Sequence, residues 1–226
     1  VYETDFVLAV AWAIREKQPH EEILAYMKEW CRELPHRPHS KRSYERYVHG
    51  PHHVLFDMLE GMEATRALLA RLGSGEGSRA PFRDFVEQLF GRHAECDGKP
   101  YWINKTPSYV LELDLLHQIF ADMRFIHVVR EREATARSIL SRPWGADDIG
   151  TARAYHEANV EAGRRWGTVR AESCLEIRYE DLVSDPRRTM SRAIEWLELD
   201  PEVFPFEAGV VRKAGGRASS LTRLRR

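Results

Sequence analysis

From residue 101 onward, short apolar runs take turns with segments of helical periodicity, and this rhythm restricts the chain to very few architectures. The runs are Tyr101 to Ile103, Phe125 to Val129 and Cys174 to Ile177, and the helical patterns cover 108–120, 132–141, 151–170 and 186–199. Strand, helix, strand, helix in succession implies parallel pairing, because a parallel neighbour is reached only by a crossover long enough to hold a helix. The run Phe125-Ile126-His127-Val128-Val129 lacks the polar alternation of a half-exposed strand, as expected of a strand covered on both faces. The expected class is α/β, a parallel sheet flanked by helices.

The first half reads differently. Ile23, Leu24, Met27, Cys31 and Leu34 fall on one helical face, as do Val54, Leu55, Met58, Leu59 and Met62, and then Phe82, Phe85, Val86, Leu89 and Phe90. Pro35 to His53, rich in Pro, His and basic residues, and Gly73 to Ser78 read as loops. A chain of 226 residues with 43% hydrophobic content can fill one large core. The expected organisation is a single domain over 1–226, mainly helical in 1–95 and α/β in 96–226.

Lys plus Arg number 34 and Asp plus Glu 35, so the formal charge of -1 gives no global attraction for nucleic acid or a membrane surface. Any anion site must be local. The apolar stretch Phe6 to Ile14 is too short to span a bilayer and follows acidic residues, so a cytoplasmic chain is expected. The three cysteines, Cys31, Cys96 and Cys174, are too few and too scattered for a disulfide framework or a zinc ribbon, and are expected as reduced thiols. The neighbouring pair His52-His53 has no accompanying carboxylate set, so no metal site is expected.

In a parallel α/β sheet, ligands collect at the carboxyl ends of the strands, where the following helices offer free N–H groups and positive dipole ends. Three polar clusters fall there: Asn104-Lys105-Thr106-Pro107-Ser108 after the first run, Arg130 after the second, and Arg178-Tyr179-Glu180-Asp181 after the third. With a helix starting near Glu133, Ser138 lies on its second turn and can face back toward Arg130. A guanidinium fork and a hydroxyl suit a phosphate. Lys105, a compact point charge, suits a group that gains negative charge during reaction.

The stretch "FIHVVREREATARSILSR" resembles the 3′-phosphate-binding segment of sulfotransferases that use 3′-phosphoadenosine 5′-phosphosulfate (PAPS), in which a strand-end Arg and a helical Ser eight residues later grip the 3′-phosphate; Arg130 and Ser138 have that spacing. "LEIRYEDLVSDPRRTMSRAIEWLEL" is similar to the later strand and helix of that family, whose Tyr approaches the nucleotide, here Tyr179. "YWINKTPSYV" resembles the segment carrying a Lys near the transferred group, here Lys105. "VYETDFVLAV" looks like the segment of the tyrosylprotein branch in which a Glu before a Thr is the catalytic base, nominating Glu3, although Thr4 or Asp5 there is also a natural helix cap. The Gly-rich segment 213–220 resembles the loop with which the family covers the nucleotide, nominating Lys213 and Ser219.

The resemblance implies a P-loop NTPase-like sulfotransferase fold, with residues 1–95 on the acceptor side and 96–226 binding the nucleotide. It implies sulfuryl transfer from PAPS to a hydroxyl of a small molecule, glycan or protein, releasing 3′,5′-ADP (PAP) without a metal. On that scheme Glu3 takes the acceptor proton and Lys105 neutralises charge on the sulfate and the leaving oxygens. The tyrosylprotein branch carries an Arg two positions after its Glu to meet acidic peptides; Asp5 stands there instead, which speaks against an acidic peptide acceptor.

The family's loop resembling Gly-x-Pro-Arg-Ser-Gly-Thr-Thr, which holds the 5′-phosphosulfate, does not occur in these 226 residues. The match begins at the helix after that loop, so a strand and loop are expected to precede Val1, and residues 1–226 alone are expected to bind and catalyse poorly. Two other readings share the strand-end anion site: a P-loop kinase-like phosphotransferase, and a non-catalytic nucleotide-binding or interaction module.

Overall fold

The structure, a computed structural model, describes residues 6–33, 56, 58–142 and 145–203. Its centre is a parallel pair. β1 (Phe125–Val129) and β2 (Cys174–Arg178) run side by side, with Phe125 opposite Cys174 and Val129 opposite Arg178. The crossover between them holds α6 (Arg132–Leu140) and α7 (Ile149–Val169), and α8 (Tyr179–Ser184) and α9 (Pro186–Trp196) follow β2. The α/β class and the helix-rich first half are as expected.

Strand alternation sorts the side chains. Ile126, Leu175 and Ile177 pack with Ala193, Leu182 and Trp196 of the helices after β2. Phe125 and Cys174 face Trp166 of α7, which joins them to Val110 and Leu113. Cover is incomplete on the α9 side, where Val128 is 50% exposed among the described residues.

The helices of the first half are α1 (Phe6–Arg15), α2 (His20–Glu33), α3 (Met58–Gly73) and α4 (Arg79–Cys96). They close around an aromatic core. Phe6 is fully buried and meets Trp30 edge-on at 4.6 Å, with Phe56, Phe85 and Phe90 around it. Each such ring contributes about 1.5–3 kcal/mol by leaving water. Gly61 lets α3 approach α2 closely, since a Cβ there would sit 2.7 Å from Cys31 Sγ. All three cysteines are free thiols. Among the described residues no helix is long and apolar enough to cross a membrane.

Two expectations need correction. Tyr101 to Ile103 is not a strand: it has no regular secondary structure, with Tyr101 62% and Ile103 53% exposed, and is followed by one bridging residue, Asn104. Three apolar residues beside Lys105 are too short a run to separate a buried strand from an exposed approach to a helix. The stripe that was to bury Met58 and Leu59 also fails, since these are 41% and 63% exposed. The helix begins only at Met58, and its buried face is instead Gly61, Met62, Ala64, Thr65, Leu68 and Leu69. The pattern at 108–120 divides into a 3₁₀ segment, Pro107–Glu112, and α5 (Leu113–Ile119). Leu34, Val54, Leu55 and the loop 35–53 lie outside the described residues.

One polar group interrupts the apolar interior under α7. His127 is buried, stacks on Phe125 and stands 3.5 Å from Glu176 Oε2 without a hydrogen bond at Nδ1. Arg164 grips that Glu176 with two hydrogen bonds, of 2.9 and 2.8 Å. Gly163 makes room for the imidazole, because a Cβ there would lie 2.7 Å from Nδ1 and 2.8 Å from Nε2. Gly163→Ala therefore overpacks the joint and should cost about 1–3 kcal/mol, against the roughly 0.5–1 kcal/mol that Ala gains in a helix; thermal unfolding reads the net loss.

Burial holds the His127 pKa below its ordinary value, outweighing the attraction of Glu176. The unfolded chain then binds this proton more readily than the folded one, so stability drains as pH falls below about 6.5. His127→Gln cannot titrate. Its unfolding midpoint should fall less steeply than that of the wild type between pH 7.5 and 5.5, and equal slopes would refute the assignment.

Candidate functional site

The register of the parallel pair sets both strand ends at one level. Val129 lies opposite Arg178, so the next residues, Arg130 and Tyr179, emerge as neighbours. The Arg130 guanidinium sits over the Tyr179 ring, 4.7 Å from its centroid. Both side chains are half-buried. A ring face attracts a cation without neutralising it, and Arg130 is in no ion pair or hydrogen bond through its guanidinium with any described residue. Its fork remains available to an anion.

The backbone beside this cation is tied down on both sides. The Arg130 carbonyl accepts a hydrogen bond from His156 Nε2 on α7 at 3.0 Å, which fixes the proton on Nε2. The His156 Nδ1 is buried without a partner among the described residues. The next N–H, that of Glu131, donates to Glu180 Oε1 at 2.9 Å. That bond lowers the Glu180 pKa below the usual carboxylate range, with smaller help from Arg178 and Arg130.

Glu131 then caps α6. Its two carboxylate oxygens accept from the N–H groups of Glu133 and Ala134, at 2.8 and 2.7 Å, and these bonds pull its own pKa down. The helix starts at Arg132, one residue before the expected Glu133. The cap also narrows the expectation of free N–H groups here: a carboxylate of the chain itself takes two of them, those of Glu133 and Ala134. Glu133 is held in turn by the two hydrogen bonds of Arg153, which fasten α6 to α7.

Ser138 is on the second turn of α6, as expected, half-buried and four residues after the capped Ala134, hence on the same helical face. Its hydroxyl has no hydrogen bond to a described residue, Arg130 included. Lys105 is exposed in the segment leading into the 3₁₀ turn, where the Thr106 hydroxyl donates to Asn104 Oδ1 at 2.7 Å. The structure thus joins Arg130 to Tyr179 directly and carries Ser138 on the helix that follows Arg130, while Lys105 precedes the 3₁₀ turn that starts at Pro107. Glu3, Lys213 and Ser219 lie outside the described residues, as do His52 and His53. Among the described residues no group of three or more His, Cys, Asp or Glu could hold a metal ion.

Sequence reasoning missed His156 and Glu131. An acidic residue immediately before a helical pattern is the available signal for the cap. Nothing local marks His156, which reaches Arg130 from 26 residues along the chain.

Comparison with known proteins adds a lineage. The nodulation protein NoeE of Sinorhizobium fredii is 27% identical over 161 residues, covering 62% of this chain and 38% of that protein. Protein-tyrosine sulfotransferase 1 of Danio rerio is 27% identical over 140 residues, covering 58% of this chain and 38% of the relative. Protein-tyrosine sulfotransferase A of Caenorhabditis elegans is 25% identical over 142 residues, covering 59% and 37%. The chain therefore spans about two fifths of the length of these curated relatives. A solved sulfotransferase domain from the curacin biosynthetic pathway aligns over 77% of this chain and 60% of its own, at 20% identity and a TM-score of 0.44. The Sulfotransferase family matches residues 20–202, far more than half of the chain, and the protein belongs to that family.

Proposed function

We propose that the protein transfers a sulfuryl group from PAPS to a hydroxyl of its acceptor, with Arg130, Ser138 and Tyr179 binding the 3′-phosphoadenosine part. The observation that carries this reading is the uncommitted Arg130 guanidinium over Tyr179, at the carboxyl ends of a parallel pair. The donor set fits the group. A planar fork meets phosphate oxygens in pairs, the Ser138 hydroxyl adds a donor, and the tyrosine ring that keeps the guanidinium in place lies beside it.

PAPS supplies the sulfuryl group and a phosphate leaving group, and the transfer is an in-line displacement governed by positioning and charge stabilisation. Lys105 neutralises negative charge that accumulates on the transferred and leaving oxygens. Glu3 takes the proton of the acceptor hydroxyl, and Lys213 and Ser219 help to bind the nucleotide. Two relatives carry the name protein-tyrosine sulfotransferase, so a peptide tyrosine is one acceptor to test, while Asp5 weighs against a strongly acidic peptide. The family match leaves the phosphotransferase reading without support.

The test separates binding from turnover in the full-length protein. Arg130→Ala should weaken 3′,5′-ADP about 10- to 100-fold, the value of one charge-assisted phosphate contact, and act on transfer chiefly through KM for PAPS. Lys105→Ala should lower kcat about 100- to 1,000-fold with little change in 3′,5′-ADP affinity. Calorimetric titration and a transfer assay read the two effects. The reverse pattern overturns the roles, and stabilisation by 3′,5′-ADP without any transfer points to a binding module.

A further inference from the structure

We infer that Glu180 and His156 are positioning residues that aim Arg130, by holding the one peptide unit that follows it at both of its polar atoms. This inference rests on the reading of Arg130 as the 3′-phosphate ligand.

The strand ladder ends at the pair Val129 and Arg178. Beyond it, no strand pairing among the described residues fixes the orientation of the next peptide plane, the unit joining Arg130 to Glu131. A peptide unit has one acceptor and one donor, and here each is taken by a side chain from a different element. His156 on α7 donates to the carbonyl, and Glu180 on α8 accepts from the N–H. The unit before Arg130 belongs to the strand and the unit after it to this clamp, so the direction in which the Arg130 side chain departs is set from both sides.

The far end of the side chain is restrained as well. Arg carries up to about 2 kcal/mol of rotamer entropy, and Tyr179 limits it by covering one face of the guanidinium. Tyr179 and Glu180 are consecutive, so the first turn of α8 holds Arg130 at its tip and at its backbone together. Half-buried on α7 and with its other ring nitrogen unpartnered among the described residues, His156 is directed at this single carbonyl.

The charge of Glu180 makes its role testable by sign. Its carboxylate lies within electrostatic reach of Arg130, so beside a bound phosphate it is an unfavourable like charge. Were charge its only influence, removing it by any substitution would tighten 3′-phosphate binding. Positioning predicts that the acceptor atom matters. Glu180→Gln keeps an oxygen for the Glu131 N–H and drops the charge, whereas Glu180→Ala drops both.

The experiment is calorimetric titration of the full-length protein with 3′,5′-ADP and with 5′-AMP, which lacks the 3′-phosphate. Glu180→Ala should weaken 3′,5′-ADP about 3- to 10-fold and leave 5′-AMP unchanged, while Glu180→Gln binds 3′,5′-ADP at least as tightly as the wild type. His156→Ala should show the same selective loss, and His156→Gln, whose amide can donate to the carbonyl, should restore it. Unfolding midpoints without ligand confirm that each variant is folded. Tightening in both Glu180 variants, or equal losses for the two nucleotides, overturns the positioning role while Arg130→Ala still abolishes the preference for 3′,5′-ADP. If Arg130→Ala leaves that preference intact, the phosphate assignment fails and the positioning role with it.

Discussion

Everything at the site depends on the parallel register of β1 and β2. Because Val129 and Arg178 are the last paired residues, the two chains leave the sheet at the same height and in the same direction. A shift of one residue would turn every side chain of a strand to the opposite face, exchanging Arg130 for a neighbour and removing Tyr179 from beneath it. The register is held by packing on both sides: Ile126, Leu175 and Ile177 against the helices after β2, and Phe125 and Cys174 against Trp166. The chemistry of the strand ends thus follows from apolar burial in the middle of the strands.

The interior under α7 shows how far that burial tolerates polarity. His127 enters as a poorly solvated ring whose pKa burial holds down, beside Glu176, which Arg164 holds through two hydrogen bonds. Such pairing is what makes a charged group admissible beside an apolar core. The arrangement needs a residue without a side chain at 163, so the helix gives up some intrinsic preference to let strand and helix approach.

Much of this could be read from the residues because periodicity and strand-end chemistry are local signals. The run at 125–129, the helix after it and the placing of Arg130 and Tyr179 at strand ends all follow from that logic. Failures occurred where locality fails. Tyr101 to Ile103 has the composition of a strand, but its exposure is decided by what packs on it. Met58 and Leu59 belong by spacing to a helical face whose helix starts only at Met58. His156 came to light only through the crossover that brings α7 back over the strand end. Two of the helix amides expected to meet an anion are satisfied by Glu131, a competition between a side chain and a ligand for the same donors that spacing alone does not resolve.

That cap has a wider consequence. A helix terminus is backbone, the same in any sequence that folds this way, whereas Arg130, Ser138 and Tyr179 are each one codon change from something else. In the proposed role, anion recognition rests on such exchangeable side chains, so descendants of this scaffold would acquire a different nucleotide taste by exchanging a few residues while the main chain stays where it is.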